Sequence, residues 1–131
     1  MMTLDLQRRA DYHPHIMPKV KAREALDVST ELTAKYFRAL GDPTRLRIME
    51  LLMSGPLSVK EITQELGVPQ SNVSNHIACL RWCGFVTSQN EGKWTYYSVR
   101  HPKIRKIVEL ARALVSANAE HVAACTRIQP T

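Results

Sequence analysis

Between Ser58 and Gly84 the chain is punctuated so closely that few folds can accommodate it. Ser58-Val59-Lys60-Glu61 has the capping-box pattern, in which a serine hydroxyl and a glutamate carboxylate satisfy orphan N–H groups reciprocally and open a helix. Ile62 and Leu66 point inward on it, and Gly67 closes it where a left-handed backbone is commonly needed. After Val68-Pro69 a second helix runs from about Gln70 to Cys83. It carries a narrow apolar stripe of Val73, Ile77 and Leu80 and stops at Gly84. Two short helices across a tight turn make a helix-turn-helix.

The flanks follow the same logic. Leu32, Tyr36, Phe37 and Leu40 recur at helical spacing from Ser29 to Gly41. Asp42-Pro43 then caps and opens a helix bearing Leu46, Met49, Leu52 and Met53, ended by Ser54-Gly55-Pro56. Phe85–Ser88 and Lys93–Val99 read as strands of a hairpin joined by Gln89-Asn90-Glu91-Gly92. After His101-Pro102 a long last helix carries Ile104, Ile107, Val108, Ala111, Leu114, Val115 and Val122. That face is wider than so small a domain needs for its own core, and a second copy of the chain is the simplest partner. The expected organisation is a flexible tail over residues 1–25, one domain over 26–122 and a C-terminal tail over 123–131. The fold class is mainly α with a β-hairpin.

A length of 131 residues suits one domain and leaves little room for an enzyme with separate cofactor and substrate lobes. No nucleophile, base and orienting group recur together. Cys79-Leu80-Arg81-Trp82-Cys83 has three residues between its cysteines rather than two and no βαβ surroundings, so a thioredoxin-like activity lacks motif and fold. The expectation is that this is not an enzyme. Eighteen Lys and Arg against twelve Asp and Glu give a net charge of +6, which favours an anionic partner, nucleic acid first. Three cysteines are too few, and odd in number, for a secreted disulfide scaffold. No window approaches the roughly 18 apolar residues of a membrane span. A cytoplasmic protein with no membrane partner is expected.

On the second helix of the pair, Gln70, Ser71, Asn72, Ser74, Asn75 and His76 face away from the apolar stripe. Amide and hydroxyl groups at the N-terminal end of such a helix match base-edge donors and acceptors or phosphate oxygens in a major groove. Ser and Asn are otherwise poor helix formers, so their clustering asks for a reason.

Gly41-Asp42-Pro43-Thr44-Arg45-Leu46-Arg47-Ile48, Ser58 to Ile62, Gln70 to Arg81, Gly84-Phe85-Val86 and Glu91 to Tyr97 together closely resemble the ArsR/SmtB family of winged-helix repressors, over roughly residues 29 to 120. The resemblance implies a winged helix-turn-helix homodimer on operator DNA near its own promoter. It also implies that the hairpin is a wing, that the first and last helices form the dimer interface, and that Lys93 touches phosphate.

Cys79 and Cys83 stand at i and i+4 on the reading helix. Their Cβ atoms should lie about 5–6 Å apart, whereas a disulfide wants about 3.8 Å. Two thiolates on a soft ion, with bonds somewhat beyond the roughly 2.3 Å of zinc–sulfur, suit the spacing better. Cadmium, lead, zinc, copper(I) and trivalent arsenic are candidates. Cys125 lies just beyond the last helix, on a tail able to reach the other subunit's reading helix. This arrangement is similar to the CmtR-type cadmium/lead sensors of the family. The family's other sites have no counterpart here, because the second helix has no cysteine pair and the last helix lacks the two Asp/His pairs of zinc and cobalt sensors. The expected function is a repressor released by a soft thiophilic ion, with cadmium or lead favoured and zinc possible.

Alternatives stay open: an arsenite-responsive repressor, a redox sensor pairing Cys125 with Cys79 or Cys83, or a constitutive DNA binder whose cysteines are small buried hydrophobes. His121, four residues before Cys125, is a candidate fourth ligand, although a solvated histidine near a helix end is commoner. His13 and His15 in the tail are weaker candidates. His76 fits DNA contact or packing better than ligation.

Overall fold

The computed structural model describes residues 19–128, with side chains from residue 29 onward. The elements are α1 (Lys19–Leu40), α2 (Pro43–Leu52), β1 (Leu57–Ser58), α3 (Val59–Leu66), α4 (Gln70–Trp82), β2 (Val86–Glu91), β3 (Trp94–Val99), α5 (Pro102–Ala117) and α6 (Ala119–Ala124). The strands form an antiparallel sheet in the order β1-β3-β2. With α3 and α4 as the helix-turn-helix and β2–β3 as the wing, this is the expected winged helix-turn-helix.

Local chemistry sets the boundaries. Asp42 Oδ1 accepts the Arg45 N–H at 3.0 Å, with Pro43 at the first helical position of α2. The capping box of α3 is complete: Glu61 N–H donates to Ser58 Oγ at 3.2 Å, and Ser58 N–H donates to Glu61 Oε1 at 2.9 Å. Such caps contribute about 1 kcal/mol. Ser58 also ends β1 opposite Tyr96, so one buried residue ties the sheet to the start of the helix-turn-helix.

The far end of α4 is a Schellman motif. Phe85 N–H donates to Leu80 O at 2.8 Å and Gly84 N–H to Arg81 O at 3.1 Å, around Gly84 at φ 84°. An added Cβ at Gly84 would meet nothing within 4 Å, so glycine supplies the backbone angle and not space. Leu80 and Phe85 are both fully buried, the apolar contact that accompanies this motif. The motif fixes the C-terminus of the reading helix at Cys83.

Ile48, Met49 and Leu52 of α2, Ile62 of α3, Val73, Ile77 and Leu80 of α4, Phe85, Val86, and Ile104 and Val108 of α5 form the core. It lies within residues 37–131, while α1 up to Tyr36 belongs to a separate compact unit.

Several expectations change. The first helix begins at Lys19, not Ser29, so residues 19–25 of the expected tail are helical. That stretch has little apolar periodicity, but Lys, Ala, Arg and Glu are strong helix formers. Leu32 and Phe37 are exposed, and among the described side chains of α1 Ala39 and Leu40 are buried. The strands run on to Glu91 and resume at Trp94, which shortens the turn to Gly92-Lys93. The last helix divides at Asn118, whose φ of −134° is not helical, and α6 then continues to Ala124, past the boundary expected at 122. Among the described residues no helix is long and apolar enough to cross a membrane.

Candidate functional site

Helix α4 presents chemistry at both ends. At its start, burial of Val73 and Ile77 turns Gln70, Ser71, Asn72, Ser74 and Asn75 outward, with His76 half-buried at the edge. Pro69 precedes the helix and no side chain caps it; Asn72 and Val73 N–H donate to Pro69 O, which leaves the N–H groups of Gln70 and Ser71 to join these amides and hydroxyls as donors. Lys93 is exposed at the wing turn, its ammonium 5.7 Å from the Trp94 ring centroid. Thr95 Oγ1 donates to Asn90 Oδ1 at 2.8 Å and braces the same hairpin. The arrangement can meet base edges and phosphates.

At its other end α4 carries the thiols. Cys79 and Cys83 are half-buried, and Cys83 N–H donates to Cys79 O at 3.0 Å, so the helical turn between them is intact. None of the three cysteines is in a disulfide. The Cys79 sulfur has a partner that sequence reasoning missed: Arg45 Nη1 of α2 donates to Sγ at 2.8 Å. Arg45 Nε is buried without a hydrogen-bond partner. The signal available was its place three and four residues before Ile48 and Met49, on the inward face of α2.

Cys125 caps the end of α6, exposed, its N–H donating to Val122 O at 3.2 Å, and His121 is exposed one turn earlier. Among the described residues no three His, Cys, Asp or Glu side chains converge within one chain. One chain therefore brings Cys79 and Cys83 together and does not bring Cys125 or His121 to them. His13 and His15 lie outside the described residues. The two sulfurs suit a soft ion in donor chemistry, and both cysteines are half-buried rather than enclosed in the core.

The helices that precede Cys125 are bare. Every described residue from Glu109 to Ile128 is exposed, Leu110, Leu114, Val115 and Val122 included. The first two turns of α5 supply the core through Ile104 and Val108, and the rest of its apolar face has no cover. Beyond those turns α5 also makes a polar contact: Arg112 Nη1 donates to Glu50 Oε2 of α2 at 2.7 Å.

Residues 42–88 match the family described as bacterial regulatory protein, arsR family. A probable mercury resistance operon repressor of Streptomyces lividans is 41% identical over 98 residues, covering 75% of this chain and 78% of that protein. The HTH-type transcriptional regulator CmtR of Mycobacterium tuberculosis is 36% identical over 88 residues, covering 66% of this chain and 75% of that protein. Among solved structures, the crystal structure of M. tuberculosis Rv0081 has a TM-score of 0.67 at 31% identity, covering 72% of this chain and 96% of that one.

Proposed function

The chain belongs to the arsR family of bacterial regulatory proteins, a family of DNA-binding regulators and not of enzymes, and on that premise we propose that it is a cytoplasmic repressor that binds operator DNA as a homodimer and lets go when its thiols take up a soft ion, cadmium or lead ahead of zinc. The observation that carries this reading is the pair Cys79 and Cys83, one intact turn apart on the helix that bears the outward Gln70–His76 surface. A ligand pair on the reading helix acts on the element that must fit the groove.

Gln70, Ser71, Asn72, Ser74, Asn75 and His76 read bases or touch phosphate, and Lys93 positions the wing on the backbone. Dimerisation covers the exposed apolar faces of α5 and α6, with Leu32 and Phe37 of α1 contributing. Cys125 of the partner subunit supplies the third thiolate, with His121 beside it as a candidate fourth ligand. A bound soft ion supplies a cross-link among these sulfurs. Release needs little of the available energy: a tenfold loss of operator affinity takes about 1.4 kcal/mol, against roughly 10–16 kcal/mol for structural zinc–thiolate sites.

Mercury as the inducer is a second reading, favoured by the Streptomyces repressor. Mercury(II) accepts two-coordinate thiolate binding, which one chain supplies without Cys125. A gel-shift on the promoter region, with cadmium, lead, zinc, mercury and arsenite titrated separately and near-ultraviolet thiolate absorption followed, tests both. Release by cadmium or lead with rising absorption is expected. Release by mercury alone, undisturbed by Cys125→Ser, favours the second reading. Insensitivity to every ion would make the protein a constitutive DNA binder, and release by oxidant alone a redox sensor.

A further inference from the structure

The metal-responsive reading leaves Arg45 unused, although its guanidinium crosses from α2 to α4 and ends on a proposed ligand sulfur. We infer that Arg45 is a positioning residue that clasps the reading helix to α2 through the Cys79 sulfur, and that this sulfur serves either the clasp or an ion, but not both.

The chemistry is asymmetric. Guanidinium is donor-only and always charged, so it can hold an electron-rich sulfur but cannot ligate a cation beside it. Ion uptake releases the Cys79 thiol proton to solvent, and a cation shared with Cys83 lies between the two sulfurs, so the Cys79 sulfur turns toward Cys83 and away from Arg45 Nη1. Nε is already buried without a partner, so the side chain has no second bond on that nitrogen to keep it in place once Nη1 is released. The other anchor of this segment, Asp42 Oδ1, accepts the Arg45 backbone N–H and does not hold the guanidinium. Loss of the bond therefore loosens α4 against α2 without unmaking the cap of α2. The angle at which α4 presents its outward surface then becomes variable, and operator affinity falls.

The inference rests on the metal-responsive reading only for its second half, and the test separates the two. Arg45→Met keeps the aliphatic stem and removes donor and charge. In the metal-free variant, amide exchange along α4 should rise and operator affinity should drop about tenfold, towards that of the cadmium-loaded native protein. Reciprocity then requires cadmium to bind about tenfold more tightly and to release little further operator. Arg45→Lys, which keeps a charged donor, should fall between the two and guards against simple misfolding. Unchanged exchange and operator affinity in Arg45→Met would overturn the clasp. Raised exchange with weakened cadmium binding would overturn the exclusivity and leave Arg45 a packing residue. If native protein takes up no cadmium at Cys79, the metal reading and the exclusivity both fail, and the metal-free exchange still decides the clasp.

Discussion

Leu110→Glu with Leu114→Glu should yield a folded monomer that binds operator at least about 100-fold more weakly than the native protein. The two leucines stand one turn apart on α5 and are 64% and 69% exposed in the single chain, so neither contributes to its core. Charges there leave Ile104 and Val108 in place and put carboxylates into the face a second copy must cover. Binding two half-sites with linked modules gains a factor of roughly 10²–10⁴ over one, and a monomer forfeits it. Sedimentation and circular dichroism separate loss of dimer from loss of fold. A variant that remains dimeric at micromolar concentration, or a monomer with native operator affinity, would count against dimerisation through this helix.

Cys79→Ser, Cys83→Ser and Cys125→Ser should each bind operator within about twofold of native protein and fail to release it on adding cadmium. A hydroxyl is a hard, weak donor for a soft ion. Serine at position 79 can still accept from Arg45, so this variant removes the ligand while keeping the link to α2. Cys125 is exposed at the end of α6, and its replacement disturbs no packing. The energy needed is modest, so losing one of three ligands is enough: each lost decade of response corresponds to about 1.4 kcal/mol. Gel-shift titration of the three variants in parallel gives the comparison. Normal release by all three would remove the thiols from the mechanism.

The features legible in the sequence were those set by local chemistry. The capping box at Ser58, the stop at Gly84 and the stripe of Val73, Ile77 and Leu80 each appear where caps and periodicity put them. Strand β1 escaped notice because two residues carry no period, and its pairing with Tyr96 and Tyr97 is decided across nearly 40 positions of chain. The break at Asn118 was hidden by apolar residues that continue on both sides of it, so the pattern of Val115 and Val122 read as one helix. The start of α1 was missed for the opposite reason: propensity without pattern. In the site, the spacing of Cys79 and Cys83 is legible and holds as one intact turn, whereas the proposed part of Cys125 depends on a second chain and leaves no local pattern. Arg45 stands within the Gly41–Ile48 motif, but a hydrogen bond between positions 45 and 79 is a consequence of α2 packing on α4.

Mixed dimers carrying Cys79→Ser with Cys83→Ser in one subunit and Cys125→Ser in the other, isolated through two tags, bring the proposed shared site to a single test. Each parent homodimer lacks every complete set of ligands and should stay on the operator in cadmium. The mixed dimer rebuilds one set across the interface, and should regain half the native thiolate absorption together with operator release. A mixed dimer as silent as both parents would show that these three sulfurs do not act together across the interface.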